Sequence, residues 1–145
     1  MQKLIFFSFF FLFGSIEAKE EYFLTLRYDE VNLRQGPGKD YPIKIFYKKK
    51  FLPVKVQDSS DNFRKIKDHE NNSGWIHISQ LSKKKAAIVN NGDLIMFKNS
   101  TIYSNPVVIL KEGRLVLVDK CKIDWCKVKS GGFKGWIKSE SLWGL

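Results

Sequence analysis

Cys121 and Cys126 are the residues of this chain best suited to covalent chemistry, because thiols can pair, ligate a metal or act as nucleophiles. The runs Leu115–Cys121 and Trp125–Val128 are typical of the two strands of a hairpin. If Ile123-Asp124 is a two-residue turn, the cysteines lie directly opposite each other, with Cβ atoms ~4.5–5.5 Å apart. That separation is close to disulfide range. We therefore expect a disulfide, which in an oxidising compartment would stabilise a small domain by about 2 kcal/mol.

Metal binding and cysteine catalysis are the alternatives for the same two thiols. A metal site needs two more soft ligands, and the two histidines, His69 and His77, lie in the other half of the chain at the wrong spacing. A cysteine hydrolase needs a histidine as general base, whereas His69 lies in a polar loop and His77 ends a predicted strand. No Ser-His-Asp arrangement, phosphate-cradling glycine loop or carboxylate pair is recognisable. The sequence thus predicts no catalytic residue, no metal site and no cofactor, and a protein that is not an enzyme.

The first residues, Met1–Ala18, are typical of a secretory signal peptide. Lys3 supplies the positive charge, Leu4–Phe13 is a mainly apolar run of ten residues, and Ala18 is a small residue at the predicted cleavage point. A bilayer span needs about 20 apolar residues, so this run is too short to cross a membrane. We expect an exported protein, periplasmic or secreted, that is not an integral membrane protein once processed. Retention of the segment as an anchor is the alternative.

The chain is basic, with a formal net charge of +10 from 25 Lys and Arg against 15 Asp and Glu. Such a charge favours an acidic partner: a cell-wall polymer, an anionic lipid or a nucleic acid. A generic solubilising surface is the other interpretation. Export disfavours nucleic acid. The triplets Lys48–Lys50 and Lys83–Lys85 are either solvated loops or salt-sensitive patches that bind anions.

From Tyr22 onward the chain has the pattern of short strands separated by turn residues, without helical periodicity. Asn-Gly within Asn90–Asp93 predicts a hairpin between the strands on either side, and Pro53 indicates an edge or a bulge. The predicted strands are Tyr22–Tyr28, Val31–Arg34, Ile43–Tyr47, Phe51–Gln57, Phe63–Lys67, Gly74–His77, Ala86–Val89, Leu94–Phe97, Thr101–Tyr103, Val107–Leu110, Leu115–Cys121, Trp125–Val128, Phe133–Ile137 and Ser141–Trp143.

The pattern occurs twice, which indicates an internal repeat. Gly-Trp-Ile begins at Gly74 and again at Gly135, and each copy has a Leu five residues after the Ile. Strands this short need closure into a small barrel to avoid bare edges. We predict one barrel in residues 22–82 and a second in 86–145. The aromatic residues at matched positions are expected to pack in or beside the cores: Phe63, Trp75, Trp125 and Trp136.

The segment Val31–Pro42, with the sequence VNLRQGPGKDYP, resembles the opening of bacterial SH3-like (SH3b) domains. Phe63–Ile66 and Gly74–His77 are similar to later strands of that family, and the arrangement of both copies resembles a proteobacterial family of exported tandem SH3-like proteins. The resemblance covers residues 24–145, although the second copy lacks the Asn-Leu-Arg-Gln-Gly-Pro-Gly segment. It implies an all-β fold of two tandem small SH3-like β-barrels after an N-terminal signal peptide.

The resemblance also implies a non-catalytic binding or scaffold module that contacts peptidoglycan or an envelope protein. The alternatives are a basic small barrel that binds nucleic acid and a regulatory partner subunit of an envelope enzyme. An exposed aromatic ring beside a cation suits a peptide, a glycan face or a Pro-rich segment, so the candidate ligand-binding residues are Arg34, Tyr41, Tyr47 and Trp143. Arg34 with Tyr41 is the preferred pair, and the alternative for Arg34 is bonding to loop carbonyls.

Overall fold

The computed structural model describes residues 10–12, 14–15 and 19–145, and the part described is all-β. Of the predicted signal peptide, only residues 10–12 and 14–15 fall within it, and the rest lies outside the described residues. Single-turn 3-10 helices span Ile78–Gln80 and Ser139–Ser141. The strands are β1 Tyr22–Leu26, β2 Val31–Arg34, β3 Ile43–Tyr47, β4 Pro53–Ser60, β5 Phe63–Lys67, β6 Ser73–His77, β7 Leu81–Ser82, β8 Ala86–Val89, β9 Leu94–Phe97, β10 Pro106–Leu110, β11 Leu115–Lys122, β12 Trp125–Ser130, β13 Phe133–Lys138 and β14 Leu142–Trp143.

The strands form two seven-stranded antiparallel sheets of identical topology. Their orders are β3-β2-β6-β5-β4-β1-β7 and β10-β9-β13-β12-β11-β8-β14. Each sheet uses one continuous half of the chain, and β1 to β7 correspond one by one to β8 to β14. The predicted tandem of small all-β barrels is therefore confirmed. In the part of the chain described, no helix has the length and apolarity that crossing a bilayer requires.

Each sheet buries its inward-facing alternate residues in a core of its own. The first core comprises Leu26, Val31, Leu33, Tyr47, Leu52, Val54, Val56, Ile66, Ile76 and Leu81. The second comprises Ala87, Val89, Met96, Leu110, Val116, Val118, Cys126, Val128 and Ile137. The same alternation turns the intervening residues of these strands to the outer face of each sheet, and that face carries the candidate sites.

Strand β8 is shared between the two cores. All four of its residues are buried. Ala87 and Val89 belong to the second core, whereas Ile88 packs into the first. A strand covered on both faces needs an uninterrupted apolar run, which explains the sequence AAIV. The two repeats are consequently joined by apolar packing as well as by the chain itself.

The Gly-Trp-Ile motif marks the point where β6 crosses β2 closely, and β13 crosses β9. A Cβ on Gly74 would lie 2.7 Å from both the carbonyl oxygen of Arg34 and Cγ of Leu33, and one on Gly135 would lie 2.5 Å from the carbonyl oxygen of Phe97. Only glycine allows this approach of two backbones. The Trp that follows lies on the outer face and the Ile in the core, so the motif is primarily architectural.

Two predictions about the second half were wrong. Strands β8 and β9 do not form a hairpin, although Asn91 and Gly92 do take positive φ values. The reason is that both edges of β8 are already paired, one with β11 and the other with β14. The predicted strand Thr101–Tyr103 is a turn, in which the Thr101 hydroxyl accepts a hydrogen bond from the backbone N–H of Tyr103 at 3.3 Å. The prediction of an edge or a bulge at Pro53 was also wrong, because β4 lies inside the first sheet between β5 and β1. Pro53 is tolerated there as the first residue of β4.

Candidate functional site

A small polar groove lies on the outer face of the first repeat, between β2, β5, β6 and the 3-10 turn Ile78–Gln80. Its volume is about 230 Å³. We call it the polar groove, and it is lined by Asn32, Arg34, Lys39, Phe63, His77, Ser79 and Gln80. No acidic side chain is among these lining residues. The groove therefore offers amide, hydroxyl, imidazole and cationic groups around one aromatic ring.

One wall of the polar groove is held by Arg34 and the loop that follows it. Nη1 of Arg34 donates hydrogen bonds to the carbonyl oxygens of Lys39 and Tyr41, both at 3.0 Å. The Tyr41 ring lies so close to Gly36 that a Cβ there would collide with it. The structure thus brings Arg34 and Tyr41 together, but through the Tyr41 backbone. Arg34 therefore has the alternative role given above, which is to bond to loop carbonyls. The half-exposed Tyr41 ring packs over the same loop.

His77 is fixed in orientation at the end of β6. Its Nδ1 accepts the backbone N–H of Ser79 at 3.1 Å and lies 2.8 Å from the Ser79 hydroxyl. Its ring meets the Phe63 ring edge-on, with 5.1 Å between centroids. Because Nδ1 accepts a hydrogen bond, the neutral imidazole carries its proton on Nε2. The groove therefore has a donor whose direction is set by the fold.

Tyr47 lies in the first core rather than on the surface, with only 8% of it exposed. Its hydroxyl donates to Oδ2 of Asp68 at 2.9 Å. The buried Asp68 carboxylate also accepts hydrogen bonds from the backbone N–H groups of Glu70 and Asn72 and from the Asn72 amide. Burial, reinforced by the hydrogen bond to Asp68, raises the pKa of Tyr47 far above its ordinary value. This position makes Tyr47 part of the architecture and leaves it no contact with the groove.

Trp143 lies between the two repeats. Its ring meets the Phe23 ring edge-on at 5.0 Å and lies 6.2 Å from the His69 ring. Its backbone pairs with Ile88 of the shared strand. The ring is half-buried and helps to fix the junction of the repeats, away from Arg34 and the polar groove.

The corresponding face of the second repeat has a different chemistry. The sheet registers match Asn32, Arg34, Phe63 and His77 to Ile95, Phe97, Trp125 and Lys138. The Trp125 ring is 9% exposed, lies under the Lys138 ammonium at 5.6 Å and meets the Phe97 ring at 5.8 Å. Two polar side chains of the groove are thus replaced by apolar ones, and the groove is specific to the first repeat.

The family model described as "Bacterial SH3 domain" matches this chain twice, at residues 27–83 and 95–144. The chain belongs to the bacterial SH3 domain family. The predicted resemblance is confirmed, and both barrels are bacterial SH3 repeats. No curated protein matches the chain.

Several solved structures are similar to this tandem of bacterial SH3 repeats. NlpC2 and NlpC1 from Trichomonas vaginalis are 11% and 12% identical to it, with TM-scores of 0.39 and 0.38, and the alignments cover 86% and 88% of this chain. An NlpC/P60 family protein from Bacillus cereus is 10% identical, with a TM-score of 0.38 and 83% of this chain covered. The chain spans about half the length of each, namely 48%, 47% and 55%.

The two cysteines of the second bacterial SH3 repeat form the predicted disulfide, with an S–S distance of 2.00 Å. They lie opposite each other across the turn Ile123-Asp124, as the hairpin register requires. Ser59 and Arg64 occupy the matched positions of the first repeat. Both sulfurs are used in the bond, so neither is a thiolate. Over residues 10–12, 14–15 and 19–145, no group of three or more His, Cys, Asp or Glu side chains could hold a metal ion.

Trp75 and Trp136 lie half-buried on the outer faces of their bacterial SH3 repeats. The ammonium groups of Lys120 and Lys122 lie over the Trp136 ring at 6.0 and 4.6 Å from its centroid. Phe63 and Trp125 are buried, at 8% and 9% exposure. All four matched aromatic residues therefore pack in or against the sheets.

The first lysine triplet lies in the loop between β3 and β4, and the second connects the two repeats. Lys48 pairs with Glu30 at 2.9 Å, and the Lys50 ammonium lies 5.0 Å from the Phe51 ring. In the second triplet, the carbonyl oxygen of Lys84 accepts the Thr25 hydroxyl at 2.7 Å. The triplets thus have structural contacts in addition to their charge.

The remaining groove residues were not predicted as ligand-binding residues: Asn32, Lys39, His77, Ser79 and Gln80. The signal was present in part, because alternation turns Asn32 to the outer face when Val31 and Leu33 point inward. What the sequence did not contain was the register that places Phe63 opposite His77.

Proposed function

We propose that this protein is an exported, non-catalytic binding module that contacts peptidoglycan through the polar groove of its first repeat. The observation that carries the proposal is the groove lining, which combines hydrogen-bond donors and cations with no carboxylate. Peptidoglycan carries short peptides with free carboxylates and amides, and such groups are complementary to this lining.

The individual groups support a short peptide end as the ligand. Nε2–H of His77 and the Lys39 ammonium can donate to a carboxylate, while the amides of Asn32 and Gln80 can both donate and accept. Phe63 forms an apolar floor. A groove of about 230 Å³ is too small for more than a few ligand groups, which favours the end of a peptide over a glycan strand.

Three observations support a binding role without catalysis and outside the cytoplasm. The thiols, the strongest nucleophiles in the chain, are consumed by the disulfide. Nδ1 of His77 is occupied by Ser79, and among the described residues no other hydroxyl or thiol makes a hydrogen bond to the ring. Disulfides persist in oxidising compartments, in agreement with the predicted signal peptide and with a bacterial SH3 domain acting in the envelope.

Cosedimentation of the purified full chain with protein-free sacculi, at low and at moderate salt, tests the proposal. Asn32→Ile gives the groove the residue of the second repeat, and Ile95→Asn is the reciprocal control. We expect retention of the unaltered protein, a roughly tenfold weaker retention of Asn32→Ile because a ligand group is left unpaired, and no change for Ile95→Asn. Absence of retention at low salt, or an equal loss of retention in both variants, would contradict the proposal. Retention only on sacculi that keep their proteins would instead indicate an envelope-protein partner.

A further inference from the structure

The outer face of the second repeat carries six lysines on three adjacent strands, β11, β12 and β13. We call this the lysine face, and its members are Lys120, Lys122, Lys127, Lys129, Lys134 and Lys138. Lys120 lies directly opposite Lys127, and Lys129 directly opposite Lys134. Like charges directly opposite on adjacent strands destabilise a sheet. The arrangement therefore costs stability in the absence of an anion.

The lysine face is not neutralised from within. The acidic residue of these three strands is Asp119, which lies at a register shift in β11. Within the residues that the structure covers, no ion pair of 4.0 Å or less joins any of the six lysines to an acidic side chain. Instead, three of the ammonium groups lie over the Trp125 and Trp136 rings.

The first repeat is an internal control, because it builds the same sheet with lysine at only two of the six matched positions. At the six matched positions it has Asp58, Ser60, Lys65, Lys67, Ser73 and His77. There Asp58 forms an ion pair with Lys19. The fold thus needs a cation at few of these positions. The additional lysines of the second repeat are therefore not explained by the stability of the sheet.

One end of the lysine face opens into a cavity of about 680 Å³ beside the Gly131-Gly132 turn. Lys129 and Lys134 line it together with Arg114 and with Lys49 of the first repeat, and every charged residue of the lining is a cation. The buried Ser130 hydroxyl accepts a hydrogen bond from Nε of Arg114 at 2.7 Å and so orients the guanidinium. Positive charge therefore continues from the open sheet into a site shaped by both repeats.

The spacing of the lysines and the burial of the two Trp rings indicate which class of ligand fits the lysine face. Alternate residues of a strand lie ~6.7 Å apart and neighbouring strands ~4.8 Å apart, which suits a linear polymer with regularly repeated charges. Trp136 is covered by lysines and Trp125 is almost buried, so neither ring is free to stack on a base. The half-exposed Phe133 at the cavity suits the apolar face of a sugar. We propose that the lysine face and its cavity bind an acidic glycan whose sugars carry carboxylates.

Fluorescence anisotropy with labelled oligogalacturonate tests this on the full chain. The test variant is Lys127→Gln/Lys129→Gln, and the matched control is Lys65→Gln/Lys67→Gln, which removes the same charge from the same strand positions of the first repeat. We expect roughly tenfold weaker binding for the test variant and less than about twofold for the control. The logarithm of affinity should fall linearly with that of salt, with a slope about 1–2 smaller for the test variant.

Other polymers separate this ligand from its rivals. Neutral dextran should not bind. Equal losses in the two double variants, or no binding of oligogalacturonate at low salt, would overturn the proposal. Polyphosphate or oligo-dT of equal charge binding roughly tenfold tighter than oligogalacturonate would assign the face to phosphates or to nucleic acid instead. The lysine face does not depend on the polar groove, so Asn32→Ile should leave oligogalacturonate binding unchanged even if sacculus retention fails.

Discussion

Replacing Tyr47 by Phe tests how the first repeat is held together. The substitution removes one hydroxyl and keeps the ring, so the packing of the first core should remain. The buried Asp68 carboxylate, 4% exposed, then loses one of four hydrogen-bond donors. A hydrogen bond to a charged group contributes ~1.5–3 kcal/mol. We expect Tyr47→Phe to lower the free energy of unfolding by about 2 kcal/mol.

The same pair predicts a loss of stability in alkali. The pKa of Tyr47 in the folded protein is raised above its ordinary value of 10.0, first by burial and then by the bond to Asp68. Below pH 10.0 the phenol is protonated in both states, and its contribution is complete. Above that pH the unfolded chain releases the proton while the folded chain retains it. Stability should therefore fall with rising pH, by up to ~1.4 kcal/mol per pH unit.

Urea denaturation followed by circular dichroism, at neutral pH and at several values above pH 10.0, measures both effects. Tyr41→Phe is the matched control, because the Tyr41 ring is half-exposed. Lysines also titrate in this range, so the informative quantity is the difference between the slopes of the two variants. A loss below about 0.5 kcal/mol at neutral pH, well under the ~1.5–3 kcal/mol of such a bond, would refute the hydrogen-bond argument. Identical alkaline slopes would refute the linkage.

Two further predictions concern the second repeat and the junction. Reducing the Cys121–Cys126 disulfide should lower the free energy of unfolding by about 2 kcal/mol, because the loop it closes is short; unchanged urea midpoints with and without reductant would contradict this. Ile88→Ala should cost ~2–5 kcal/mol, because Ile88 is 3% exposed and packs into the core of the other repeat. Thermal unfolding should then separate into two transitions, and a single transition at an unchanged temperature would contradict the shared-strand account.

Local patterns predicted the strands well. Ile43–Tyr47, Phe63–Lys67, Ala86–Val89 and Leu94–Phe97 begin and end where the sequence predicted, because turn residues and alternation mark such segments. Which strands pair is a different question. The Asn-Gly turn after β8 was predicted to form a hairpin, but pairing depends on which edges remain free, and β11 and β14 already occupy both edges of β8.

Side-chain roles that depend on distant partners were not predictable in the same way. Tyr47 looked free because its partner, Asp68, is 21 residues away in the chain. Trp143 looked like a terminal aromatic ring, whereas it meets Phe23 of the other repeat. The disulfide was predictable because both cysteines lie in one hairpin whose register follows from its turn. The lysine face needed the registers of three strands, while the sequence drew attention to the lysine triplets.

The most direct test of the proposed function is the retention of the full chain on protein-free sacculi, compared between Asn32→Ile and Ile95→Asn. If the polar groove binds peptidoglycan, retention is salt-sensitive, falls roughly tenfold when Asn32 is replaced and stays unchanged when Ile95 is replaced. The assignment of peptidoglycan binding to the polar groove would be contradicted if the protein stays in the supernatant at low salt. It would also be contradicted if Asn32→Ile is retained as well as the unaltered protein.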